Sequence, residues 1–261
     1  VDPFFLVWGN AESARAAGAT VLNHSPVTSM TMKEGRIDKV VLGKGGRKRT
    51  IRPEMVVNAS GAWAPRVAAL AGVELPMNVD KGTMVVFNGR LIDRLLNRLR
   101  PPSDGDILVP HRSATILGTT SGPGGEDDIR ATADEVEELL AQANRMLPGI
   151  YSARAVRAYA GVRPLLAGGG DGRGASRTFR VIDHSGTGAD NMISVVGGKL
   201  TTYRLMAEKA SDAVMERLGR KGACRTGIEE IIPPGDADAR SFLERSVLAK
   251  YGSVSYTHLT L

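Results

Sequence analysis

The pattern of apolar and polar positions predicts a chain of many short strands interrupted by a few helices. A first helix is predicted from Pro3, behind an N-cap at Asp2, to about Ala17, where Gly18 ends it. Short apolar or alternating runs predict strands at 19–24, 27–32, 37–42, 49–52, 55–58, 84–87, 107–110, 115–117, 155–162, 180–183 and 192–196. Helical periodicity predicts further helices that end near 70, span 91–99, run from 132 to 146 and cover 200–218.

The order of these runs predicts how some of the strands pair. Residues 27–52 predict an antiparallel meander, because glycine turns separate its three runs. The other expected pairs are 107–110 with 115–117, and 155–162 with 180–183. This mixture of elements predicts an α+β or α/β fold with a mixed or antiparallel sheet.

Three segments carry more local signals. Thr132, followed three residues later by Glu135, fits a capping box at the start of a helix. The glycine-rich run 168–172 predicts a flexible loop. The tail 253–261 has no continuing periodicity, and we interpret it as non-native; a natural strand is the alternative.

Composition places the chain among ordinary globular proteins. It has 261 residues, 42% of them hydrophobic and 24% charged. No run approaches the ~18 apolar residues of a membrane span. The single cysteine, Cys224, excludes an internal disulfide framework and a cysteine-only metal cluster, and the four scattered histidines lack metal-ligand spacing. No metal site is therefore expected.

The net charge of +6 suits anionic partners, which include small anions, lipid headgroups and nucleic acid. The only tight basic cluster, Arg47-Lys48-Arg49, falls in a predicted hairpin. Because no nucleic-acid-binding motif accompanies it, a solvated turn is the default interpretation and no nucleic-acid partner is expected.

The most informative segment is Gly197-Gly198-Lys199, between a predicted strand and the helix 200–218. Paired glycines let a backbone pass close to a ligand. The first N–H groups of a helix are unpaired and favour anionic or carbonyl oxygens, such as those at one edge of a flavin. An ordinary strand-to-helix turn with an exposed lysine is the alternative.

Three further segments carry candidate chemistry. The strand 56–58 ends in Ala59-Ser60-Gly61, small residues that permit a cofactor backbone to approach closely. Arg163 precedes a proline at a strand end, where a guanidinium can fork onto an anion, although a surface salt bridge would look the same. The strand 116–118 ends in two hydroxyls, Thr119 and Thr120, which turn chemistry alone could explain.

Together these segments resemble the large flavin subunit of the anaerobic, quinone-linked glycerol-3-phosphate dehydrogenases, over about residues 1–235. Further similar segments occur at 81–83, 103–110 and 203–208. The single-subunit respiratory dehydrogenase is the nearest alternative. Its pattern has a histidine where this chain has Met84, and the difference favours the multi-subunit type.

The resemblance implies an FAD-dependent oxidoreductase fold of the D-amino-acid-oxidase type. It also implies an N-terminal Gly-x-Gly-x-x-Gly unit and a C-terminal cysteine-rich iron–sulfur region, and neither occurs in this sequence. We therefore expect an internal fragment with an incomplete Rossmann domain. The expected domains are 1–75 (FAD-binding, with the meander), 76–190 (substrate-binding), 191–222 (return to the FAD-binding domain), 223–252 (start of a C-terminal region) and the tail 253–261.

The resemblance also implies the residues of the site. It gives catalytic roles to Lys199 and Arg163, and substrate contacts to Arg163, Arg177, Lys199 and Thr119. Arg163 and Arg177 would form a basic pocket for a phosphate ester, and Lys199 would lie in dry surroundings. The residues implied for FAD binding are Val27, Ala59, Ser60, Gly61, Trp63, Gly197, Gly198, Lys199, Leu200, Thr201 and Thr202.

The implied activity is oxidation of sn-glycerol 3-phosphate to dihydroxyacetone phosphate, with electrons passed to quinone. The implied partners are a membrane anchor and an iron–sulfur protein, on the cytoplasmic face of the cell membrane. Two alternatives stay open. One is another flavoenzyme of the same fold that acts on amines or amino acids, because an arginine that binds a carboxylate looks like one that binds a phosphate. The other is a truncated, non-catalytic protein.

Overall fold

The computed structural model describes residues 3–44, 46–101, 103–166 and 178–231, and the chain divides into two compact units. The first unit combines Val1–Ser25 with Ala223–Leu261, and its described part contains helix α1 (Pro3–Ala16). The second unit, Pro26–Gly222, contains three sheets. Its described strands are β1 (Val27–Lys33), β2 (Arg36–Lys44), β3 (Arg47–Ile51), β4 (Val56–Asn58), β5 (Met77–Asn88), β6 (Leu96–Asn97), β7 (Ile107–His111), β8 (Ala114–Gly118), β9 (Gly122–Pro123), β10 (Ala155–Leu166), β11 (Phe179–Asp183) and β12 (Met192–Gly197). Its described helices are α2 (Ala64–Ala69), α3 (Ala133–Ala143) and α4 (Tyr203–Arg217), with 3₁₀ turns at Gly61–Trp63, Ile150–Ser152 and Leu200–Thr202.

The first sheet is the expected meander, in the order β1-β2-β3 with antiparallel pairing throughout. Its apolar positions Ile37, Val40 and Leu42 pack in a core with α2 and β12. The buried side chain of Asn191 joins the meander to β12: its Oδ1 accepts the Ile37 N–H at 2.8 Å, and its Nδ2 donates to the Ile37 carbonyl at 3.0 Å. A two-point amide clamp of this kind fixes the position of β2 against β12.

The second sheet has the order β11-β12-β4. The central strand β12 is buried along Met192 to Val196, as expected for a continuous apolar run covered on both faces. It pairs antiparallel with β11 and parallel with β4. Because parallel strands run in one direction, the carboxyl ends of β4 and β12 lie at the same edge of the sheet, which is where ligands bind in open α/β sheets.

The third sheet has the order β10-β5-β8-β7-β6, and β9 also pairs with β5. Its central strand β5 alternates between two faces. Val85 and Phe87 are fully buried in a core with Leu139 of α3. Asp80 and Gly82, at alternate positions, lie on the opposite face. One face of this sheet therefore packs on α3. The opposite face, which carries Asp80 and Gly82, is called the open face because α3 does not cover it.

Three predictions from the sequence are wrong. Residues 19–22 have no regular secondary structure and residues 23–24 form a turn, so the strand expected at 19–24 is not formed. Residues 91–99 form bends and the short strand β6 in place of a helix, because the Leu91 N–H donates to Thr115 Oγ1 at 2.8 Å and β6 pairs with β7. The strand at 180–183 exists as β11 but pairs with β12 and not with β10. The glycine-rich run 168–172 and the tail 253–261 lie outside the described residues.

The predicted capping box at Thr132 is confirmed, and it is joined to the sheet by a buried lysine. Glu135 accepts the Thr132 N–H at 2.8 Å and the Thr83 hydroxyl at 3.0 Å. The ammonium of Lys81, whose side chain is 7% exposed, lies 3.2 Å from Glu135 and 3.4 Å from Asp128. Burial by itself raises the pKa of Glu135, but the hydrogen bonds from Thr132, Thr83 and Lys81 outweigh it, so that its pKa is lowered. The ionised carboxylate thus holds α3 on β5.

Glu135→Gln is expected to lower the free energy of unfolding by about 1–3 kcal/mol at neutral pH, because Lys81 loses a charged partner inside the fold. Since the pKa of Glu135 is depressed in the folded state, its contribution is present above the usual glutamate pKa and is lost as the pH falls through the folded value. Urea unfolding at several pH values measures both effects. The exposed Glu74→Gln is the matched control, and equal losses in the two variants would contradict the role of Glu135.

Candidate functional site

The Gly197-Gly198 turn leaves no room for side chains. Both residues adopt left-handed backbone angles, with φ of 76° and 86°. A Cβ on Gly197 would lie 2.5 Å from the backbone carbonyl oxygen of Thr178, and a Cβ on Gly198 would overlap the sulfur of Met206. Glycine is therefore favoured at both positions by conformation, and it is required for space at Gly197, where the obstacle is backbone.

The start of the helix that follows is held by hydrogen bonds between Thr202 and the backbone of Lys199. Its Oγ1 accepts the Lys199 N–H at 3.1 Å and donates to the Lys199 carbonyl at 2.9 Å, and the Thr202 N–H donates to the same carbonyl at 3.0 Å. The N–H groups of Leu200 and Thr201 precede the first intrahelical bond, and such groups favour carbonyl or anionic oxygens.

The second turn, Ala59-Ser60-Gly61, is held by the buried side chain of Asn58. The Asn58 Oδ1 accepts the Ser60 hydroxyl at 2.6 Å, and its Nδ2 donates to the Ala64 carbonyl at 2.8 Å. The hydroxyl of Ser60 is thereby committed to the turn itself. Asn58 was not predicted as a site residue, although its place at the end of the strand motif was the available signal.

The two turns meet at a groove of about 850 Å³. Its lining comes from the ends of β4 and β12, from one face of α4 and from Pro164 of β10, and it is mostly apolar. The lining residues are Val57, Ala59, Pro164, Val195, Gly197, Gly198, Lys199, Leu200, Tyr203, Met206, Ala207, Ala210, Ser211, Val214 and Met215. The structure thus brings together the glycine turn and Ala59, as the sequence predicted.

Arg163 lies on the open face of the third sheet, one residue before the groove residue Pro164. Its NH1 group forms an ion pair with the carboxylate of Asp80. Its NH2 group donates to Thr119 Oγ1 at 2.6 Å and to the Thr120 carbonyl at 3.2 Å. The structure therefore joins Arg163 to Thr119, as the two were grouped from sequence, but it also supplies an acidic partner that sequence reasoning missed.

The remaining predicted site residues are distributed as follows. Lys199 is exposed, so the dry surroundings expected for it are not formed by the described residues. The Trp63 indole N–H donates to Asp127 at 3.0 Å. Val27 packs against the core of the meander and is not among the groove residues, so its cofactor role stays a prediction. Arg177 lies outside the described residues.

The chain is similar to known proteins over most of its length. Residues 1–204 match the family model described as FAD dependent oxidoreductase. The chain belongs to this family. It is 39% identical over 255 residues to one of the subunits of the anaerobic glycerol-3-phosphate dehydrogenase of Haloferax volcanii, a match that covers 91% of this chain and 43% of that protein. It is 36% identical over 270 residues to the corresponding protein of the Escherichia coli enzyme, a match that covers 99% of this chain and 49% of that protein.

A solved structure of an FAD-dependent oxidoreductase shares the fold. The glycerol-3-phosphate dehydrogenase of Bacillus halodurans, complexed with FAD, superimposes with a TM-score of 0.70 at 27% identity, over 88% of this chain and 46% of that one. The chain thus spans about half the length of the relatives that it matches. Across the part of the chain that the structure describes, no helix is both long and apolar enough to cross a membrane.

The residues at the turn end of the groove fit a flavin. Gly197 and Gly198 line the groove with backbone alone, so no side chain of the turn keeps a flat ring away from it. Leu200 and Thr201 offer backbone N–H donors suited to ring carbonyl oxygens, and the lysine beside them adds positive charge. The apolar lining suits the faces of the ring.

Gly197→Ala is expected to destabilise the turn more than Gly186→Ala does, because the two glycines have nearly equal φ, 76° and 75°, but only Gly197 lacks space for a Cβ. Backbone strain alone costs roughly 1 kcal/mol. The additional loss of unfolding free energy in Gly197→Ala, measured by urea unfolding, reports the clash with the Thr178 carbonyl. Equal losses in both variants would show that the turn can relax.

Proposed function

We propose that this chain forms the flavin-ring turn and the substrate-binding sheet of an FAD-dependent sn-glycerol-3-phosphate dehydrogenase of the anaerobic type. The product would be dihydroxyacetone phosphate. The observation that carries the proposal is the meeting of the glycine turn with Ala59 in one groove, whose wall includes the residue next to Arg163. The 36–39% identity to proteins named as components of such enzymes supports the choice of substrate.

The proposed chemistry assigns roles to the basic residues of this chain and to one threonine. Bound FAD supplies the acceptor for a hydride from C2 of the substrate. Arg163 binds and orients the substrate through its guanidinium, and Thr119 holds that guanidinium in place. Lys199, exposed at the mouth of the groove, holds or moves the proton of the C2 hydroxyl. Arg177 is assigned to the phosphate group.

We further propose that electrons pass from the flavin to quinone through partner proteins. The related proteins of Escherichia coli and Haemophilus influenzae are each named as one subunit of an enzyme, which supports an assembly with other chains. A membrane anchor and an iron–sulfur protein would place the chain at the cytoplasmic face of the cell membrane as a peripheral component. These assignments of partners and location rest on the family resemblance.

The free edge of β4 supports the proposal that the working enzyme contains an N-terminal dinucleotide-binding unit before these residues. In the described sheet β4 has a neighbour on one side only, and Val57 on it is 44% exposed. The adjoining face of α4 lines the apolar groove with Met206, Ala210 and Val214. A further strand and helix would cover this surface, while the turn end of the groove would stay with the flavin.

The substrate is tested with a longer protein that carries the family's N-terminal unit and bound FAD. Glycerol 3-phosphate is expected to bleach the visible absorbance of the flavin under anaerobic conditions, while free glycerol and a panel of amino acids leave it unchanged. Bleaching by an amino acid, and not by glycerol 3-phosphate, would favour the amine-oxidase alternative and refute the proposed substrate.

Lys199→Ala in the same FAD-loaded protein is expected to lower kcat by ~10²-fold or more, the scale of a lost acid–base or oxyanion contact. The control is Lys209→Ala, an exposed lysine on α4 that pairs with Asp212 and lies outside the groove lining. If Lys199→Ala keeps normal flavin content and the turnover of the control, Lys199 has no part in the reaction.

The 261-residue chain by itself is expected to bind FAD weakly, because the usual pyrophosphate site of the family is not in its sequence. Its uncovered apolar groove should also favour aggregation. Gel filtration followed by measurement of flavin per chain tests both points. Stoichiometric FAD, retained by a monodisperse 261-residue chain, would overturn the fragment proposal.

A further inference from the structure

The carboxylate of Asp80 is buried, and each of its two oxygens has a partner. The residue is 3% exposed on the open face of the third sheet. One oxygen accepts the hydroxyl of Ser121 at 2.8 Å, and the other forms the ion pair with Arg163. Asp80 and Arg163 face each other in the register of β5 and β10. The sheet itself therefore places this acid beside the arginine.

The guanidinium of Arg163 is held from both sides. NH1 meets Asp80 and also lies 3.5 Å from the Lys81 carbonyl, while NH2 meets the Thr119 hydroxyl and the Thr120 carbonyl. Between these partners it lies over Gly82, where a Cβ would overlap the NH2 atom and would lie 2.7 Å from Thr119 Oγ1. Few orientations of the guanidinium satisfy all these contacts.

We infer that Asp80 is a positioning residue for Arg163, one that fixes the direction of the guanidinium and cancels its charge toward the substrate. This inference rests on the proposed function, since it deepens the role of Arg163 in that site. A guanidinium paired at contact distance with a buried carboxylate is neutral as a unit. Because the described contacts engage both terminal NH groups, the Nε–H is the donor left to orient an uncharged oxygen by hydrogen bonding. The neutral pair attracts a phosphate dianion far less than a free arginine would.

The pairing therefore separates two tasks within the site. The uncharged carbinol end of the substrate falls to the Asp80–Arg163 pair, and the phosphate falls to a cation other than Arg163. If Arg163 were free, it would compete for the phosphate and hold the substrate in the reverse direction. Asp80 thus acts on the orientation of the substrate through Arg163, without touching the reacting atoms.

The test compares Asp80→Asn with the unmodified protein in FAD-loaded form, using inorganic phosphate as the probe. The neutral amide leaves Arg163 with an uncompensated charge, so phosphate is expected to bind about tenfold tighter by calorimetric titration. At the same time kcat for glycerol 3-phosphate should fall about tenfold or more, because the guanidinium is no longer fixed. A merely structural role would not tighten phosphate binding.

Asp38→Asn is the matched control, because Asp38 pairs with Arg52 at 2.8 Å on the exposed meander. This variant removes the same charge from an ion pair outside the site, and it should change neither the phosphate affinity nor kcat for glycerol 3-phosphate. Phosphate affinity of Asp80→Asn within about twofold of the unmodified protein would overturn the inference, whatever the change in kcat.

Gly82→Ala keeps the test decisive if Asp80→Asn does not fold. Its Cβ displaces the guanidinium from Asp80 without removing a charge. Tighter phosphate binding with lower kcat is again expected, and unchanged values of both would overturn the inference. Failure of the unmodified protein to oxidise glycerol 3-phosphate would instead refute the proposed function, while the phosphate titrations would still decide the role of Asp80.

Discussion

The alternation of side chains along β5 is the constraint on which the rest of the structure depends. Asp80 and Lys81 are adjacent in sequence and both buried, yet they lie on opposite faces of the sheet. Asp80 meets Arg163 on the open face, while Lys81 meets Glu135 on the face covered by α3. A shift of β5 by one residue would exchange the two charges and leave each without its partner, so the register is strongly specified.

This arrangement ties the candidate chemistry to the stability of the scaffold. Charged groups inside a protein are costly unless they are paired and hydrogen-bonded. Both buried charges of β5 meet that condition, and every buried polar side-chain atom among the described residues has a hydrogen-bond partner. Thr83 and Thr120 add a reciprocal link, since the Thr83 N–H donates to Thr120 Oγ1 at 2.9 Å and the Thr120 N–H donates to the Thr83 carbonyl at 3.2 Å. The residues around Arg163 are thus held by the same strand that holds α3.

Features that depend on local sequence were predicted correctly, and features that depend on contacts between distant segments were not. The meander, the Thr132 capping box and the strand–turn–helix at Gly197 follow from periodicity, capping and glycine placement, and the structure contains all three. Residues 91–99 have apolar spacing that suits a helix, but the contacts of this segment with β7 and β8 override it. The pairing of β11 with β12 could not be predicted from an apolar run, because such a run does not identify its neighbour.

In the candidate site, too, some groupings of residues could be predicted from the sequence and others could not. The grouping of Ala59 with the glycine turn could be predicted, since both follow buried strands and such ends meet when the strands are parallel. The contact of Asp80 with Arg163 could not be predicted, because Arg163 lies in β10, 83 positions away in the sequence.

Strand β10 is what joins the substrate sheet to the groove. Arg163 pairs with Asp80 on the neighbouring strand β5, and the next residue, Pro164, lines the same groove as Gly197. Proline fixes φ and has no N–H, which limits the freedom of the backbone at the residue before it. The direction of Arg163 is therefore set from three sides: by Pro164 through the backbone, by Asp80 through charge, and by Gly82 through the space it leaves open. A change to the groove wall at Pro164 would act on the backbone of the residue that carries the guanidinium, and the two parts of the site can be coupled by this route.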